Sequence, residues 1–312
     1  MALDRLGRSQ DAIGWIEQKR ALLPTLGRAT TTEREHWYRY HANVGTFWAH
    51  RWLQNGAKTE RLREIHTAQA HIARALQIKP DAHFGREKYQ LYALQWIAKE
   101  RRKGLSFWDY LYTKKQHHHV DRAQIIAGLT GLIVLGNAWE SVDIFDALAE
   151  ALWLNRDYSL AHAAWLRCED LSKQGKRSLA APYNKHWKSN MEQGLKKTYS
   201  FPYPNETTAK FRELRAEAET WQMQRTNYMQ TQFQQGTHPD THANFWNNYQ
   251  SAPPPSLQFS NEHSVRARVL FSNYVLYFVM ALPLILPVTI VFIWIVCRQV
   301  KARRVRKQLQ IG

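Results

Sequence analysis

An uncharged, strongly apolar run near the C-terminus constrains this chain more than any other feature. Positions 269–297 contain no Asp, Glu, Lys, Arg or His. As a helix, the run would rise about 43 Å at ~1.5 Å per residue, more than the ~30 Å hydrocarbon core of a bilayer requires. Tyr274, Tyr277 and Trp294 lie near its ends, where amphipathic rings favour the membrane interface. The run predicts a single transmembrane helix; a buried core helix or hairpin is the alternative.

Cationic residues follow directly after this run and predict its orientation. The tail 298–312 holds several cations and no acidic side chain. By the positive-inside rule, the tail lies in the cytoplasm and the large N-terminal part on the outer side, periplasmic or extracellular. Export of that part needs a signal, and the residues after Met1 form no apolar signal segment, so either the chain breaks the positive-inside rule or, as we expect, its native start lies upstream. The topology residues are Arg298, Lys301, Arg303, Arg304, Arg306 and Lys307.

The composition of the whole chain indicates that most of it lies outside the membrane. A mean hydropathy of −0.55 excludes a polytopic transporter, and a hydrophobic content of 44% excludes a wholly disordered chain. The two cysteines, Cys168 and Cys297, are too few and too far apart for a disulfide framework or a cysteine-based zinc site. Outside the apolar run, hydrophobic residues recur at helical spacing and the alternation typical of strands is absent, which predicts an all-α fold.

Three segments place small and bulky apolar residues at matching intervals. They begin at Ala12, Ala68 and Ile144, and two of them end at a proline. Small residues let helices approach closely, a bulky residue fills the groove between them, and proline ends the helix. This pattern resembles the second helix of the tetratricopeptide repeat (TPR), and Val44-Gly45-x₂-Trp48 resembles its first helix. The repeat-packing positions are Ala12, Ile16, Pro24, Gly45, Trp48, Ala68, Ile72, Ala75, Pro80, Leu148 and Ala151.

The resemblance implies a TPR-like solenoid of helical hairpins over residues 1–180. The spacing between the segments exceeds the period of about 34 residues typical of the family, so we expect inserted loops, such as the stretch 53–66, and eroded repeats; an irregular helical bundle is the alternative. Too few residues precede the Leu6-Gly7 turn for a complete first repeat, which predicts an exposed apolar face at that end. In this fold Ala75 is buried, and of Trp48 and Trp52 one lies in the core and the other nearer the surface.

The remainder of the chain divides by composition. Residues after 180 are broken by prolines, then become polar with helical spacing, and then become rich in Pro and Asn. The predicted segments are an irregular connection at 181–206, a polar helix at 207–236, a tether at 237–268, the transmembrane helix at 269–297 and the basic tail at 298–312.

Residue patterns typical of catalysis are missing from the sequence. No phosphate-binding loop or nucleophile elbow occurs, and Cys168 lies among small apolar residues as a buried structural thiol does. The run from His117 to His119 fits a solvated loop better than a metal site, because neighbouring histidines on one helix point in different directions. We therefore expect no catalytic residue, cofactor or metal ligand, and a protein that is not an enzyme.

The charge balance leaves the choice of partner open. With 43 Lys and Arg against 26 Asp and Glu, the formal charge is +17, and segments 99–104 and 185–188 place aromatic residues among or near their cations. The favoured hypothesis is a membrane-anchored scaffold that binds a protein or peptide in a TPR-like groove. One alternative is a basic, membrane-tethered module that binds nucleic acid or an anionic envelope polymer, and a continuous basic face would favour it. An enzyme of unrecognised type is the last; the oligomeric state stays open.

Overall fold

The chain is described from a computed structural model, which covers residues 2–118, 121–136, 138–199, 204–239 and 241–250. Within these ranges the secondary structure consists of helices and turns, with no strand, so the all-α prediction is confirmed. The helices are α1 (Ala2–Arg5), α2 (Ser9–Ala21), α3 (Thr31–Gln54), α4 (Leu62–Ile78), α5 (Arg86–Gln95), α6 (Phe107–His118), α7 (Arg122–Leu135), α8 (Val142–Leu154), α9 (Tyr158–Lys173), α10 (Trp187–Tyr199) and α11 (Pro204–Gln234). A π-helical turn, Trp96–Glu100, continues α5.

Local sequence signals account for where the long helices begin and end. Helix α3 begins at a capping box, in which the Thr30 hydroxyl accepts from the Glu33 N–H and the Glu33 carboxylate accepts from the Thr30 N–H. It ends before Gly56, whose φ of 80° is the left-handed conformation that glycine adopts without strain. Gly175 ends α9 in the same way, with a φ of 82°. A glycine directly after a helical segment is a local sequence signal for a helix end.

Helices α3 and α4 form the most extensive helix–helix interface among the described residues. A methyl group added at Gly45 would lie 2.7 Å from the Ile72 side chain, so the glycine permits this close approach. Ala68, Ile72 and Ala75 of α4 are all fully buried. Sequence-adjacent helices that contact each other this extensively across the short connection 55–61 form a helical hairpin. The stretch from Leu53 to His66, expected as an inserted loop, is therefore largely helical: α4 already begins at Leu62.

Helices α5 to α10 contribute the remainder of the main core. Helix α9 packs on α8, and α5 packs on α7. Glycines again mark the close contacts, since an added methyl group at Gly128 would overlap the Tyr89 ring and one at Gly194 would lie 2.6 Å from Trp165. Trp165 is fully buried and donates its indole N–H to Asp146 at 3.2 Å.

The segments after residue 180 differ from the sequence prediction. The expected irregular connection 181–206 contains α10, and the polar helix begins at Pro204 and ends at Gln234. Both helices pack on α9, where buried His162 hydrogen-bonds Thr198 at 2.5 Å and Thr208 at 2.9 Å. Contacts with α9 therefore continue across position 180, where the sequence places the end of the repeat domain.

The first part of the expected tether folds back onto α11 instead of extending away from it. Phe245 is buried, and its ring meets that of Tyr228 edge to face at 5.9 Å. The Tyr228 hydroxyl donates to the Phe245 carbonyl at 2.6 Å. Aromatic burial thus fixes these turns, a contact that the Pro- and Asn-rich composition did not reveal.

Several predictions from the sequence fall on residues outside the described ranges. They include the transmembrane helix at 269–297 and all six topology residues after it. Across the described part of the chain, no helix combines the length and the apolar character that a membrane span requires. The solvated loop expected at His117 is wrong, because α6 continues through His118.

Candidate binding surfaces

A concavity of about 560 Å³ opens near the N-terminal end of the fold, and we call it the N-terminal concavity. It lies where the end of α2 and the connection 22–30 meet α3 and α4. Its volume is within the range of ~300–1,000 Å³ that is usual for ligand sites. The side chains that give it chemical character are Arg20, Leu23, Pro24, Trp37, His41 and Arg74.

Hydrogen bonds from α3 hold the walls of this concavity in place. The Trp37 indole N–H donates to the Pro24 carbonyl at 2.9 Å and so ties the 22–30 connection to α3. Glu17 accepts from the Tyr40 hydroxyl at 2.7 Å and pairs with Arg20 at 3.2 Å. Burial of Tyr40, together with this carboxylate, raises the pKa of the phenol. The hydroxyl therefore remains a donor throughout the physiological range and fixes the position of Glu17.

A pair of histidines lies at the concavity: His41 of α3 lines it, and His71 of α4 contacts His41. The Nδ1 atoms of His41 and His71 are 3.1 Å apart, and the His41 ring is stacked with Trp37, with ring centres 5.7 Å apart. Burial lowers the pKa of His41 to about 4 and also lowers the pKa of His71. Both rings are therefore neutral at physiological pH, and one donates to the other.

Two arginines supply the fixed positive charge of the N-terminal concavity. Arg20 is exposed and shares Glu17, whereas Arg74 is exposed and donates to the neutral amide of Gln77 at 2.7 Å. A guanidinium binds a carboxylate through two parallel hydrogen bonds, and an adjacent indole adds apolar contact. The arrangement can thus hold an extended segment that carries a carboxylate.

A second candidate surface forms where two basic segments, far apart in sequence, come together. Arg101 donates to the Leu179 carbonyl at 3.2 Å, and Asn184 donates to the Gly104 carbonyl at 3.0 Å. These bonds join the turn after the π-helical segment to the loop between α9 and α10. We call the result the basic surface and define it by its exposed cations Arg102, Arg177, Lys185 and Lys188.

A concavity of about 510 Å³ lies within the basic surface. Arg177, Trp187 and Lys188 line it, together with Lys176, which pairs with Glu140 at 2.6 Å. From Leu171 to Met191 the sequence has no acidic residue. Among the residues that the structure describes, none of the four defining cations has a carboxylate within ion-pairing distance. The surface therefore carries uncompensated positive charge.

A buried carboxylate on α8 holds the loop that carries this charge. Asp143 accepts from the Ser178 hydroxyl at 2.5 Å and from the Leu179 N–H at 2.9 Å. Burial raises the pKa of Asp143 to about 6 and that of nearby Asp146 to about 7. Since Ser178 follows Arg177 directly, Asp143 acts on the basic surface through the position of the loop and not by contact with a ligand.

The residues singled out from the sequence lie mainly in the core. Ala75 is fully buried; Trp52 is fully buried and Trp48 is partly exposed, which is the expected division. At the N-terminal end, where an exposed apolar face is expected, Leu6, Trp15 and Leu22 are each exposed. The full set consists of buried Ala12, Gly45, Ala68, Ile72, Ala75, Leu148 and Ala151, partly exposed Ile16, Pro24 and Trp48, and exposed Pro80.

The polar groups of the N-terminal concavity were missed in the sequence, whereas the basic segments 99–104 and 185–188 were singled out but not placed next to each other. His41 and His71 are 30 positions apart, and only a helical hairpin in this register brings them together. Cys168 is buried, as expected, and burial raises the pKa of its thiol. Within the described ranges, no cluster of three His, Cys, Asp or Glu side chains is arranged to hold a metal ion.

Comparison with known proteins supplies no family for this chain. No protein-family model matches the sequence, and neither curated proteins nor solved structures give a significant match. The functional argument therefore depends on the geometry of the surfaces themselves.

Proposed function

We propose that this chain is a membrane-anchored, TPR-like helical scaffold that binds a carboxylate-bearing segment of a partner protein in the N-terminal concavity. The observation that carries this proposal is the convergence of Arg20, Arg74 and Trp37 around one opening of about 560 Å³. Charged and aromatic side chains line the concavity, and such groups suit recognition of a ligand. The protein is accordingly proposed to act as a binding module and not as an enzyme.

The hairpin of α3 and α4 supports the repeat part of the proposal. Gly45 faces Ile72 at the closest approach of the two helices, as the resemblance to a repeat implies for a small residue opposite a bulky one. Helix α2, which carries the first copy of the pattern, packs on α3 in turn. A stack of such helices presents a concave side on which a segment can lie.

Charge and shape support a carboxylate as the recognised group. The chain is strongly basic, and Arg74 donates only to an uncharged amide in its described contacts. A carboxylate between Arg20 and Arg74 would gain charge-assisted hydrogen bonds, while Trp37 and Leu23 would contact the apolar part of the segment. A bare inorganic anion would lack that apolar contact.

The anchor part of the proposal depends on the apolar run at 269–297. A single span would hold the scaffold at a bilayer, with the cationic tail in the cytoplasm. Restricting a weak binding module to a surface raises its effective concentration toward partners on the same membrane.

Selection from a random peptide library against the full-length protein in detergent tests the binding proposal. We expect the selected peptides to share an Asp, Glu or free C-terminal carboxylate next to an apolar residue. Arg74→Glu reverses the charge at the concavity and should weaken these peptides about tenfold or more, since it replaces a charge-assisted bond with repulsion. Trp37→Ala should weaken them without changing their charge preference.

Arg63→Glu is the matched control for Arg74→Glu. Arg63 is exposed on the same helix, roughly 16 Å along its axis from Arg74, and does not line the concavity. Equal losses for Arg63→Glu and Arg74→Glu would contradict a localised site. Selected peptides without any carboxylate would refute the recognition chemistry.

A further inference from the structure

The basic surface is separate from the N-terminal concavity and offers a different chemistry. Its four defining cations come from two segments about 80 positions apart, joined by the Asn184–Gly104 and Arg101–Leu179 hydrogen bonds. Each cation is exposed and points its charge to solvent without a described carboxylate partner. Cations that tertiary contacts bring together from separate segments form the kind of basic patch that is typical of polyanion-binding surfaces.

Aromatic rings accompany these cations. Trp187 lines the 510 Å³ concavity between Arg177 and Lys188. Tyr183 is 38% exposed, and its ring lies 5.7 Å from the Arg101 guanidinium carbon. Its hydroxyl is 3.0 Å from that of Thr59, so the ring is held in a fixed position. Cations that follow a backbone and rings on which bases stack are the two components of single-strand binding.

We infer that the basic surface binds single-stranded nucleic acid, with phosphates on Arg102, Arg177, Lys185 and Lys188 and a base in the concavity beside Trp187. Three features favour a strand over an anionic bilayer. The site is concave, it contains an aromatic wall, and its lining includes no Leu, Ile, Val, Met or Phe side chain that would insert deeply among acyl chains; Pro182 is the one exposed apolar residue of the lining. A flexible strand can enter this concavity, whereas the flat surface of a lipid bilayer would contact mainly its rim.

Hydrogen bonds to buried side chains hold the loop that carries Arg177 in position. Asp143 fixes Ser178 and Leu179, and Arg101 fixes the Leu179 carbonyl. The cations therefore project from an ordered loop, which lowers the entropy cost of binding. Asp143 and Arg101 are positioning residues, whereas the four exposed cations and Trp187 are the proposed contacts.

The test uses the full-length protein in detergent and a fluorescently labelled oligothymidylate, followed by anisotropy over a series of salt concentrations. The triple variant Arg177→Gln, Lys185→Gln, Lys188→Gln removes three proposed phosphate contacts. We expect its affinity at low salt to fall about tenfold or more. The slope of log affinity against log salt should become shallower by about 2, from ~0.7 per lost contact. Trp187→Ala should lower affinity about tenfold and leave that slope unchanged.

The matched control is Arg5→Gln, Lys19→Gln, Arg34→Gln, which removes the same charge from exposed positions on α1 to α3. Unchanged binding by this variant supports a localised surface, whereas equal losses in both triple variants would mean a net-charge effect and overturn the inference. Circular dichroism of each variant checks the fold, and Arg177→Lys with Lys188→Arg should retain binding if charge is what matters.

Two competitors separate the other polyanions. If phosphatidylglycerol vesicles displace the oligonucleotide and the triple variant loses vesicle binding more than oligonucleotide binding, the surface is a lipid site and the inference is wrong. If polyaspartate competes as well as unlabelled oligothymidylate on a per-charge basis, the surface does not recognise nucleic acid. Retention of the concavity-selected peptides by the triple variant shows that the two sites are independent.

Discussion

The Nδ1 atoms of His41 and His71 lie 3.1 Å apart across the interface of α3 and α4. At this distance one Nδ1 carries a hydrogen and donates, while the other accepts, so the two rings hold complementary neutral tautomers. Protonation of the accepting ring would place two donors face to face. Burial disfavours the charged form as well and lowers the pKa of His41 to about 4.

The titration of His41 is the first prediction. In an NMR titration its ring should remain neutral from pH 7 down to about pH 4. His71→Gln removes one of the causes of the shift and should raise the pKa of His41, though not to its ordinary value, because burial is the larger cause. A wild-type midpoint near 6.5 would contradict the paired geometry.

The lowered pKa of His41 also determines whether stability rises or falls with pH. The native-state pKa of His41 is below its unfolded value, so between about pH 4 and 6.5 the unfolded chain binds more protons. The free energy of unfolding therefore falls as the pH falls through this window. His41→Gln should make urea denaturation less dependent on pH there, and an unchanged dependence would show that this histidine does not contribute.

Overpacking at Ala75 is the second prediction. Ala75 is fully buried on α4 and packs with Tyr38 and Ala42 of α3. Ala75→Trp leaves no room for an indole and should lower the free energy of unfolding by about 1–3 kcal/mol or more. Ala70→Trp at an exposed position of the same helix is the control and should change stability by less than about 0.5 kcal/mol. Equal effects in chemical denaturation would contradict the close α3–α4 packing.

The third prediction concerns the contact of Gly45 with Ile72. Gly45→Ala places a methyl group 2.7 Å from the Ile72 side chain and 3.0 Å from the Ala68 carbonyl oxygen. The higher helix propensity of alanine should raise the free energy of unfolding by about 1 kcal/mol. The steric overlap should lower it by about 1–3 kcal/mol, so we expect the variant to be less stable. In a double-mutant cycle with Ile72→Ala, the combined loss should be smaller than the sum of the two single losses. Strict additivity would mean that the two side chains do not compete for space.

The membrane anchor is the fourth prediction. Full-length protein should remain with the membrane fraction after alkaline carbonate extraction if the apolar run at 269–297 spans the bilayer as we propose. Deletion of 269–312 should release the protein into the supernatant. If carbonate alone released the full-length chain, the protein would be attached peripherally, and the apolar run would not span the membrane.

The all-α character follows from the sequence, because helical spacing and glycine-terminated helix ends are local signals. Gly56 and Gly175 end helices because only a residue without Cβ adopts a positive φ without strain. A single glycine in the sequence is therefore enough to indicate such a helix end. The burial of Ala68, Ile72 and Ala75 could be predicted for the same reason, since one face of an amphipathic helix must leave water.

The helix within 181–206 was not predicted because its stability comes from packing on α9 and not from its own composition. The burial of Phe245 against Tyr228 was not predicted for a similar reason. The composition of a Pro- and Asn-rich segment, or of a polar helix, does not indicate which other segment it packs on. In these cases long-range contacts outweighed local preference.

What the sequence alone determined are the positions of apolar faces, helix ends and the membrane-length run, all of which depend on neighbours within a few turns. Only the tertiary structure decided that His71 meets His41 and that Asn184 bonds Gly104, because such pairs depend on helix register and loop path. Hydrophobic burial drives the helices together without regard to which polar side chains meet at the surface. Shape complementarity in the core, through close approaches such as that of Gly45 to Ile72, fixes which polar side chains lie next to each other. These polar contacts in turn determine where the candidate binding surfaces lie.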